Sequence, residues 1–174
     1  MKSIKAPLDE KTITSLKAGD EVLLSGTILT ARDQAHLRLC KLKEEKKELP
    51  VDLKAQVIYY CGPTPSADRV IGSCGPTTSG RMDAFTPRLL EAGVKGMIGK
   101  GKRGPEAVEA IKRSKAVYFV APAGAGAYLS ERVRASNVVA FEDLGAEAIY
   151  KLEVEDFPLV VAVDCEGRNI YASL

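Results

Sequence analysis

The chain has 174 residues, with 25 Lys/Arg against 23 Asp/Glu, a net charge of +2 and 45% hydrophobic residues. This composition excludes disordered and collagen-like chains, and the near-zero net charge excludes binding to nucleic acid or acidic membranes that is driven by an overall field. The length predicts a single domain over 1–174, with a short extended lead-in over about 1–17. A site for anions must therefore be local.

The sequence shows no clear targeting segment and no cysteine spacing typical of metal or disulfide sites. The N-terminal segment lacks the apolar core of a signal peptide, and no apolar stretch reaches the roughly 18 residues of a membrane span, so we expect a cytoplasmic protein. The four cysteines (Cys40, Cys61, Cys74 and Cys165) fit neither a CxxC metal pattern nor a dense disulfide framework. We expect free thiols, with a metal site on this chain as the less favoured alternative.

The first elements are a strand, a helix and a second strand. Residues 21–29 have strand character. A helix is expected over 35–48, with Asp33 as its N-cap and Pro50 ending it. Residues 56–61 form a short apolar stretch, which predicts a buried strand.

The middle of the chain continues this alternation. Residues 73–80 are small, hydroxylated and turn-forming, and they lead into a helix predicted over 81–92, where apolar residues recur at helical spacing. A strand is expected over 94–98. A helix is then expected over 105–115, where Pro105 suits a first turn.

The last third is richer in strands. Residues 116–120 predict a buried strand and residues 121–127 a loop of small residues, and further strands are expected over 138–141, 149–154 and 159–163. Helices and strands that alternate through the middle of a chain are typical of an α/β domain with helices packed on a sheet.

Four loops combine cations, hydroxyls and small residues at the predicted ends of elements. They cover residues 30–33, 75–81, 99–101 and 123–126. In open α/β sheets, ligands bind beyond the carboxyl ends of the strands, so these loops are expected to face one crevice. The turn at 77–81 would also present a helix N-terminus, which suits an anion.

Three cations in these loops suit a small dicarboxylate. Arg32 and Arg81 can each bind a carboxylate through two hydrogen bonds, whereas Lys100 acts as a compact point charge between glycines. A phosphate-binding loop of the GxxxxGK[ST] type does not occur. The remaining alternative is purely structural, with Arg32 paired to Asp33 or a helix end and Lys100 solvated.

Several motifs resemble a known family. They are GPTTSGRMD at 75–83, LLEAG at 89–93, IGKG at 98–101, GTILTARDQAHLRL at 26–39 and YYCGP at 59–63. In this combination they look like the beta subunit, or C-terminal domain, of the class I iron-sulfur fumarases and L-tartrate dehydratases. The resemblance covers roughly residues 15–170.

The resemblance implies a swivelling β/β/α domain with a mixed sheet, acting as the beta subunit of a hydro-lyase that reversibly hydrates fumarate to malate. The alternatives are an L-tartrate dehydratase beta subunit or a non-catalytic dicarboxylate-binding module. Family members hold a 4Fe-4S cluster in the alpha subunit, where an open iron binds the substrate as a Lewis acid. This chain is therefore expected to bind no metal, to need a cluster-bearing alpha subunit and to be inactive alone.

The resemblance also implies roles for residues. Arg32, Arg81 and Lys100 match the binders of the substrate carboxylates, and Thr77 matches the proposed catalytic base, with Arg81 beside it as a catalytic group. A threonine hydroxyl is a weak base at neutral pH and needs activation, so Thr78 and Ser79 stay open as substitutes.

Two further residues are secondary candidates. His36, the only histidine, is expected to be either a structural hydrogen-bonding residue or a residue at the rim of the site. Asp83 is expected to orient Arg81 or to favour a helix N-terminus.

Overall fold

The computed structural model describes residues 1–172. That part of the chain contains seven strands, five α-helices and two 3-10 segments. The strands are β1 (Lys2–Ala6), β2 (Glu21–Thr30), β3 (Val57–Tyr59), β4 (Gly96–Gly99), β5 (Val117–Val120), β6 (Val133–Ala140) and β7 (Ile149–Val163). The helices are α1 (Glu10–Ser15), α2 (Asp33–Glu44), α3 (Thr86–Glu91), α4 (Pro105–Arg113) and α5 (Gly126–Ser130), and the 3-10 segments are Ser79–Met82 and Glu142–Glu147.

The sheet is mixed, which confirms the α/β prediction. Strands β1 to β5 pair in order and in parallel. The long strand β7 pairs antiparallel with β2, β5 and β6. Because β7 joins β5 back to β2, the pairs β2–β3–β4–β5–β7 form a closed ring from which β1 and β6 branch.

The molecule has three layers, because the parallel strands bury both faces. Val57 and Tyr59 pack with Phe157 of β7 in an apolar cluster between the parallel and antiparallel strands. Their neighbours Ile58 and Tyr60 belong to a second cluster on the helix side. Alternate residues of one strand thus enter different cores, as the pleat requires, and the layers are antiparallel strands, parallel strands and helices.

Several element boundaries differ from the sequence predictions. The expected extended lead-in contains a strand and the helix α1, whose N-cap Asp9 accepts a hydrogen bond from the Thr12 N–H at 2.7 Å. The helix predicted over 81–92 is two elements, since Pro87 occupies the first turn of a separate α3. The small-residue loop at 121–127 leads directly into the unpredicted α5.

The helix α2 and the strand β7 also depart from expectation. Helix α2 begins at Asp33, with Arg32 as its N-cap, and ends at Glu44, well before Pro50. The two tail strands predicted at 149–154 and 159–163 are one strand, with Asp156 at a left-handed φ of 50° where the register against β2 shifts. This β-bulge bends β7 without ending its pairing. Of the described helices, none is both long and apolar enough to cross a membrane.

Candidate active site

The predicted loops meet at one edge of the parallel sheet. Strands β2, β3 and β4 are adjacent and parallel, so their carboxyl ends lie side by side. The segment after β2 carries Arg32, the segment after β3 leads to Thr77 and Arg81, and the segment after β4 carries Lys100. The topology therefore brings together the ends from which these residues project.

Residues 77–79 extend the sheet beside the end of β4. The Thr77 N–H donates to the Tyr60 carbonyl at 2.7 Å, and the Lys100 N–H donates to the Thr77 carbonyl at 3.2 Å. The Ser79 N–H then donates to the Lys100 carbonyl at 2.9 Å. This ladder fixes Thr77 and Lys100 on adjacent backbone segments.

The close approach of these segments depends on Gly99. A Cβ at this position would overlap the Ser79 hydroxyl and would lie 2.8 Å from a ring carbon of Tyr60. Gly99, one of the two glycines that flank Lys100, therefore allows two segments of the protein itself to pack closely.

Asp33 connects the two arginines. Arg81 donates to its carboxylate from Nε at 3.1 Å and from one Nη atom at 2.9 Å. The Nε atom of Arg32 lies 4.0 Å from the same Oδ2 atom that accepts the Nη bond. Arg32 and Arg81 therefore converge on one carboxylate, although they are distant in sequence. We refer to Arg32, Arg81 and Lys100, which follow neighbouring strand ends, as the cationic cluster. The contacts with Asp33 join the two arginines only.

The arginines keep hydrogen-bonding capacity. Half of the Arg81 side chain and 30% of the Arg32 side chain are exposed. The Arg32 Nε is buried between Asp33 and Glu147, 4.0 Å from each, and has no hydrogen-bond partner within the described residues. Asp33 thus fixes the Arg81 guanidinium through two hydrogen bonds, whereas Arg32 has only the two 4.0 Å contacts. Neither group is saturated, which suits groups that bind an incoming anion.

A third arginine, Arg103, which was not singled out from the sequence, anchors the loop that carries Thr77 and Arg81 to the protein interior. The fully buried Arg103 side chain donates to Asp83 at 2.6 Å, to the Tyr60 hydroxyl at 3.1 Å and to the Thr86 hydroxyl at 2.5 Å. It also lies over the rings of Tyr60 and Tyr118, 5.3 and 4.9 Å from their centroids. Burial alone would lower the pKa of Arg103, but these neighbours raise it, so the guanidinium stays charged.

Asp83 does not orient Arg81, contrary to one sequence expectation. Its two oxygens accept from Arg103 Nε and from the Gly104 N–H, the latter at 2.7 Å. Arg81 is oriented by Asp33 instead. Nothing local in the sequence distinguished these partners, because each ion pair joins segments far apart in the chain.

His36 is a buried structural residue at the start of α2. Its Nδ1 lies 2.8 Å from the Arg32 carbonyl, and since that oxygen can only accept, Nδ1 carries the proton. The ring packs edge-on against Tyr60, 5.4 Å between centroids. Burial lowers the pKa of His36 to about 4, despite the opposing effect of this hydrogen bond. His36 thereby supports the backbone of Arg32 as a neutral ring.

The three candidate hydroxyls occupy different environments. Ser79 is fully buried and shares a 2.7 Å hydrogen bond with the Tyr118 hydroxyl, so it is a structural group. Thr78 is exposed, whereas Thr77 is half-buried and, among the described residues, its hydroxyl has no partner. Of the three, Thr77 combines partial shielding with a free hydroxyl.

The expected helix dipole at 77–81 is absent, because the segment enters a four-residue 3-10 turn. The next glycine-rich segment, 99–104, has the spacing GxGxxG, which sequence reasoning overlooked. It does not form a phosphate cradle, since the Gly104 N–H is bound to Asp83 and the Arg103 side chain is buried beneath it.

The cysteines do not form a cluster site. All four are buried and free. Contact with Cys74 and burial raise the pKa of the Cys61 thiol. Among the described residues, no three His, Cys, Asp or Glu side chains group as metal ligands. Within residues 1–172, the possible ligands do not form a group that fits an iron-sulfur cluster.

Fold and site together define an α/β domain that presents a cationic cluster at the carboxyl edge of a parallel sheet. A family model described as Fumarase C-terminus matches residues 2–174, and the chain belongs to this family. This confirms the resemblance drawn from the motifs.

Named relatives agree. The chain is 38% identical over 171 residues to a Methanocaldococcus jannaschii protein whose assignment as an L(+)-tartrate dehydratase subunit beta is provisional, covering 94% of this chain and 88% of that protein. It is 34% identical to the L(+)-tartrate dehydratase subunit beta of Escherichia coli, with 98% and 87% covered. It is 36% identical to the anaerobic class I fumarate hydratase of Escherichia coli, covering all of this chain but 31% of that enzyme.

These relatives are named as hydro-lyases, and they fall into two arrangements. The chain spans nearly the whole length of the tartrate dehydratase subunits, but less than a third of the fumarate hydratases.

Proposed function

We propose that the chain is the beta subunit of a hydro-lyase that adds water to a small dicarboxylate and removes it again, with fumarate and malate as the substrate pair. The observation that carries this proposal is the convergence of Arg32 and Arg81 on Asp33, beside the backbone ladder that fixes Thr77 and Lys100. Family membership supplies the reaction class.

The cationic cluster binds the substrate carboxylates. Arg81 presents the edge of its guanidinium that Asp33 leaves free, and Arg32 binds through its unsaturated donors. Lys100 adds a charge without a fixed hydrogen-bond geometry. When a proton leaves the carbon next to a carboxylate, negative charge spreads onto that carboxylate, and fixed cations stabilise it more in the transition state than in the ground state.

Thr77 moves the carbon-bound proton. Its hydroxyl is half-buried and has no hydrogen-bond partner within residues 1–172, and it lies on the segment paired with Lys100. Proximity to cations favours a transient alkoxide, and the site must be closed to water for this effect to be large. The exposed position of the cluster on this chain indicates that another protein surface closes it.

That surface belongs to a partner alpha subunit, which also holds the 4Fe-4S cluster, since the possible ligands within residues 1–172 of this chain do not form a group that fits one. The seam between the subunits is then the active site, and the beta subunit alone is inactive. Relatives named subunit beta support a multi-subunit enzyme.

L-tartrate is the second candidate substrate. The relatives whose length this chain nearly matches, at 88% and 87% of their residues, carry tartrate dehydratase names. Tartrate is also a four-carbon dicarboxylate, so the same cations would bind it.

Coexpression with the candidate alpha subunit under anaerobic conditions tests the proposal. The assembled, cluster-loaded complex should hydrate fumarate or dehydrate malate or L-tartrate, and neither subunit alone should do so. D-tartrate is the matched control for substrate geometry. A loaded complex that turns over none of these acids would refute the hydro-lyase assignment, and dicarboxylate binding by this chain alone would favour the non-catalytic module.

A further inference from the structure

The sequence predicts Asp33 as a helix cap or as a partner of Arg32, but its main contacts are with Arg81. Asp33 is the first residue of α2 rather than its N-cap, and the N-cap Arg32 makes no side-chain capping bond. The Asp33 carboxylate instead accepts two hydrogen bonds from Arg81, and its side chain is 27% exposed. Asp33 therefore forms its two side-chain hydrogen bonds with Arg81, a candidate substrate-binding residue.

The geometry of this pair determines which part of Arg81 stays available. A guanidinium carries five N–H groups in one plane. Asp33 takes Nε and one Nη atom, a two-point contact that fixes the plane and the direction of the group. The other terminal nitrogen is left for an anion. A half-exposed arginine without such a partner would sample many rotamers, so binding a substrate would cost the entropy of fixing it.

The same carboxylate also limits the charge of the site. Asp33 and Glu147 both lie 4.0 Å from the Arg32 Nε. They offset the repulsion between two guanidinium groups that converge on one point. Without Asp33, like charges would drive Arg81 and Arg32 apart.

We propose that Asp33 is the positioning residue of the carboxylate site, holding Arg81 in the orientation that binds the substrate. This inference rests on the proposed hydro-lyase function. It assigns Asp33 no contact with the substrate; its effect passes through Arg81.

A double-mutant cycle in the assembled, cluster-loaded complex tests the inference. Asp33→Asn keeps the size of the side chain but removes its charge and one acceptor. It should lower kcat/KM about tenfold, mainly through a higher KM, as expected when one charge-assisted contact is lost. In an Arg81→Ala background the same change should lower kcat/KM by no more than about twofold, because the side chain that Asp33 positions is already absent.

Asp143→Asn is the matched control. Asp143 forms an equally complete pair with Arg38, at 2.8 and 2.5 Å, between α2 and the 142–147 segment, and within residues 1–172 neither side chain hydrogen-bonds to a residue of the cationic cluster. This variant should leave kcat and KM unchanged. Complex yield and cluster content, measured for every variant, separate assembly from activity.

Three outcomes would overturn the inference. An equal loss from Asp33→Asn in both backgrounds would show an effect that does not pass through Arg81. Unchanged kinetics in Asp33→Asn would show that the pair has no role, and a lower KM would show that Asp33 competes with the substrate. Failure of the wild-type complex to turn over any dicarboxylate would instead count against the proposed function, so the two failures are distinguishable.

Discussion

Arg103 donates a hydrogen bond from Nε to Asp83 at 2.6 Å, and this pair joins the segment after β4 to the segment that carries Thr77 and Arg81. The side chain of Arg103 is wholly buried and that of Asp83 is 23% exposed, so the interaction is largely shielded from solvent. The site loop is therefore held from inside the protein, while its functional side chains remain at the surface.

Removing Arg103 should destabilise the fold. Arg103→Met leaves the Asp83 carboxylate and the Thr86 hydroxyl without their partner, which should lower the free energy of unfolding by about 3 kcal/mol, as for other broken buried ion pairs. Urea unfolding followed by circular dichroism measures the change. Lys102→Ala alters the exposed neighbouring cation and should change stability by less than about 0.5 kcal/mol. Equal stability of Arg103→Met and wild type would contradict the role given to this arginine.

Gly99→Ala tests how closely the segments pack. The added methyl group would overlap the Ser79 hydroxyl and press on Tyr60, so we expect a loss of about 1 to 3 kcal/mol in unfolding free energy. Gly80→Ala is the control, because the nearest atoms to its Cβ would be 4.0 Å away. If both variants unfolded at the same urea concentration, the packing described around Gly99 would be wrong.

Activity measurements on variants can show which of Thr77 and Thr78 acts as the base. In the assembled complex, Thr77→Val should lower kcat about 100-fold or more, since it removes the proton-transferring hydroxyl. Thr77→Ser should retain much of the activity, and Thr78→Val should have a small effect. A large loss in Thr78→Val with an active Thr77→Val would move the base to the neighbouring threonine.

Stability should fall between pH 6.5 and pH 4 because of His36. Burial lowers its pKa in the folded state from 6.5 to about 4, while Arg103 lowers it further and Asp33 opposes the shift. As the pH falls, His36 is protonated in the unfolded state before it is protonated in the folded state. The stability that comes from burying a neutral His36 is therefore fully present above pH 6.5 and is lost as the pH falls from 6.5 towards 4. A shift of this size corresponds to about 2 to 4 kcal/mol.

Urea unfolding at pH 7 and pH 4.5 measures the effect. His36→Gln should be less stable than wild type at pH 7 but should lose less stability on acidification. The same pH dependence in both proteins would assign the titration to other groups.

Much of the site follows from local sequence, because a parallel sheet places every loop that follows a strand at one edge. Arg32 and Lys100 could be assigned to that edge from strand ends and glycines, whereas Thr77 was identified from the hydroxyl-rich turn before a predicted helix and from the family resemblance. The division of the predicted 81–92 helix into two elements was harder to predict, since Pro87 is compatible both with an early turn of one long helix and with the first turn of a new one. Helix α5 was missed because Gly126 is a weak helix former.

The ion pairs could not be predicted, because they depend on tertiary distance. Arg81 and Asp33 are 48 residues apart, and Arg103 and Asp83 are 20 apart. Sequence offered each arginine several carboxylates of equal plausibility. The one feature of the sequence that could have indicated a role for Arg103 was its position in a glycine-rich segment. The tyrosines that it contacts, Tyr60 and Tyr118, lie in two stretches predicted to be buried strands.

The most direct measurement is kcat/KM of the assembled complex with Arg81→Ala, compared with Arg88→Ala as the control. Arg88 is a half-exposed arginine on α3 that pairs with Glu44, away from the cationic cluster. We predict that Arg81→Ala loses about 2 to 4 kcal/mol of transition-state stabilisation, and that Arg88→Ala behaves as wild type. Equal kcat/KM in the two variants would contradict a carboxylate site built on Arg81.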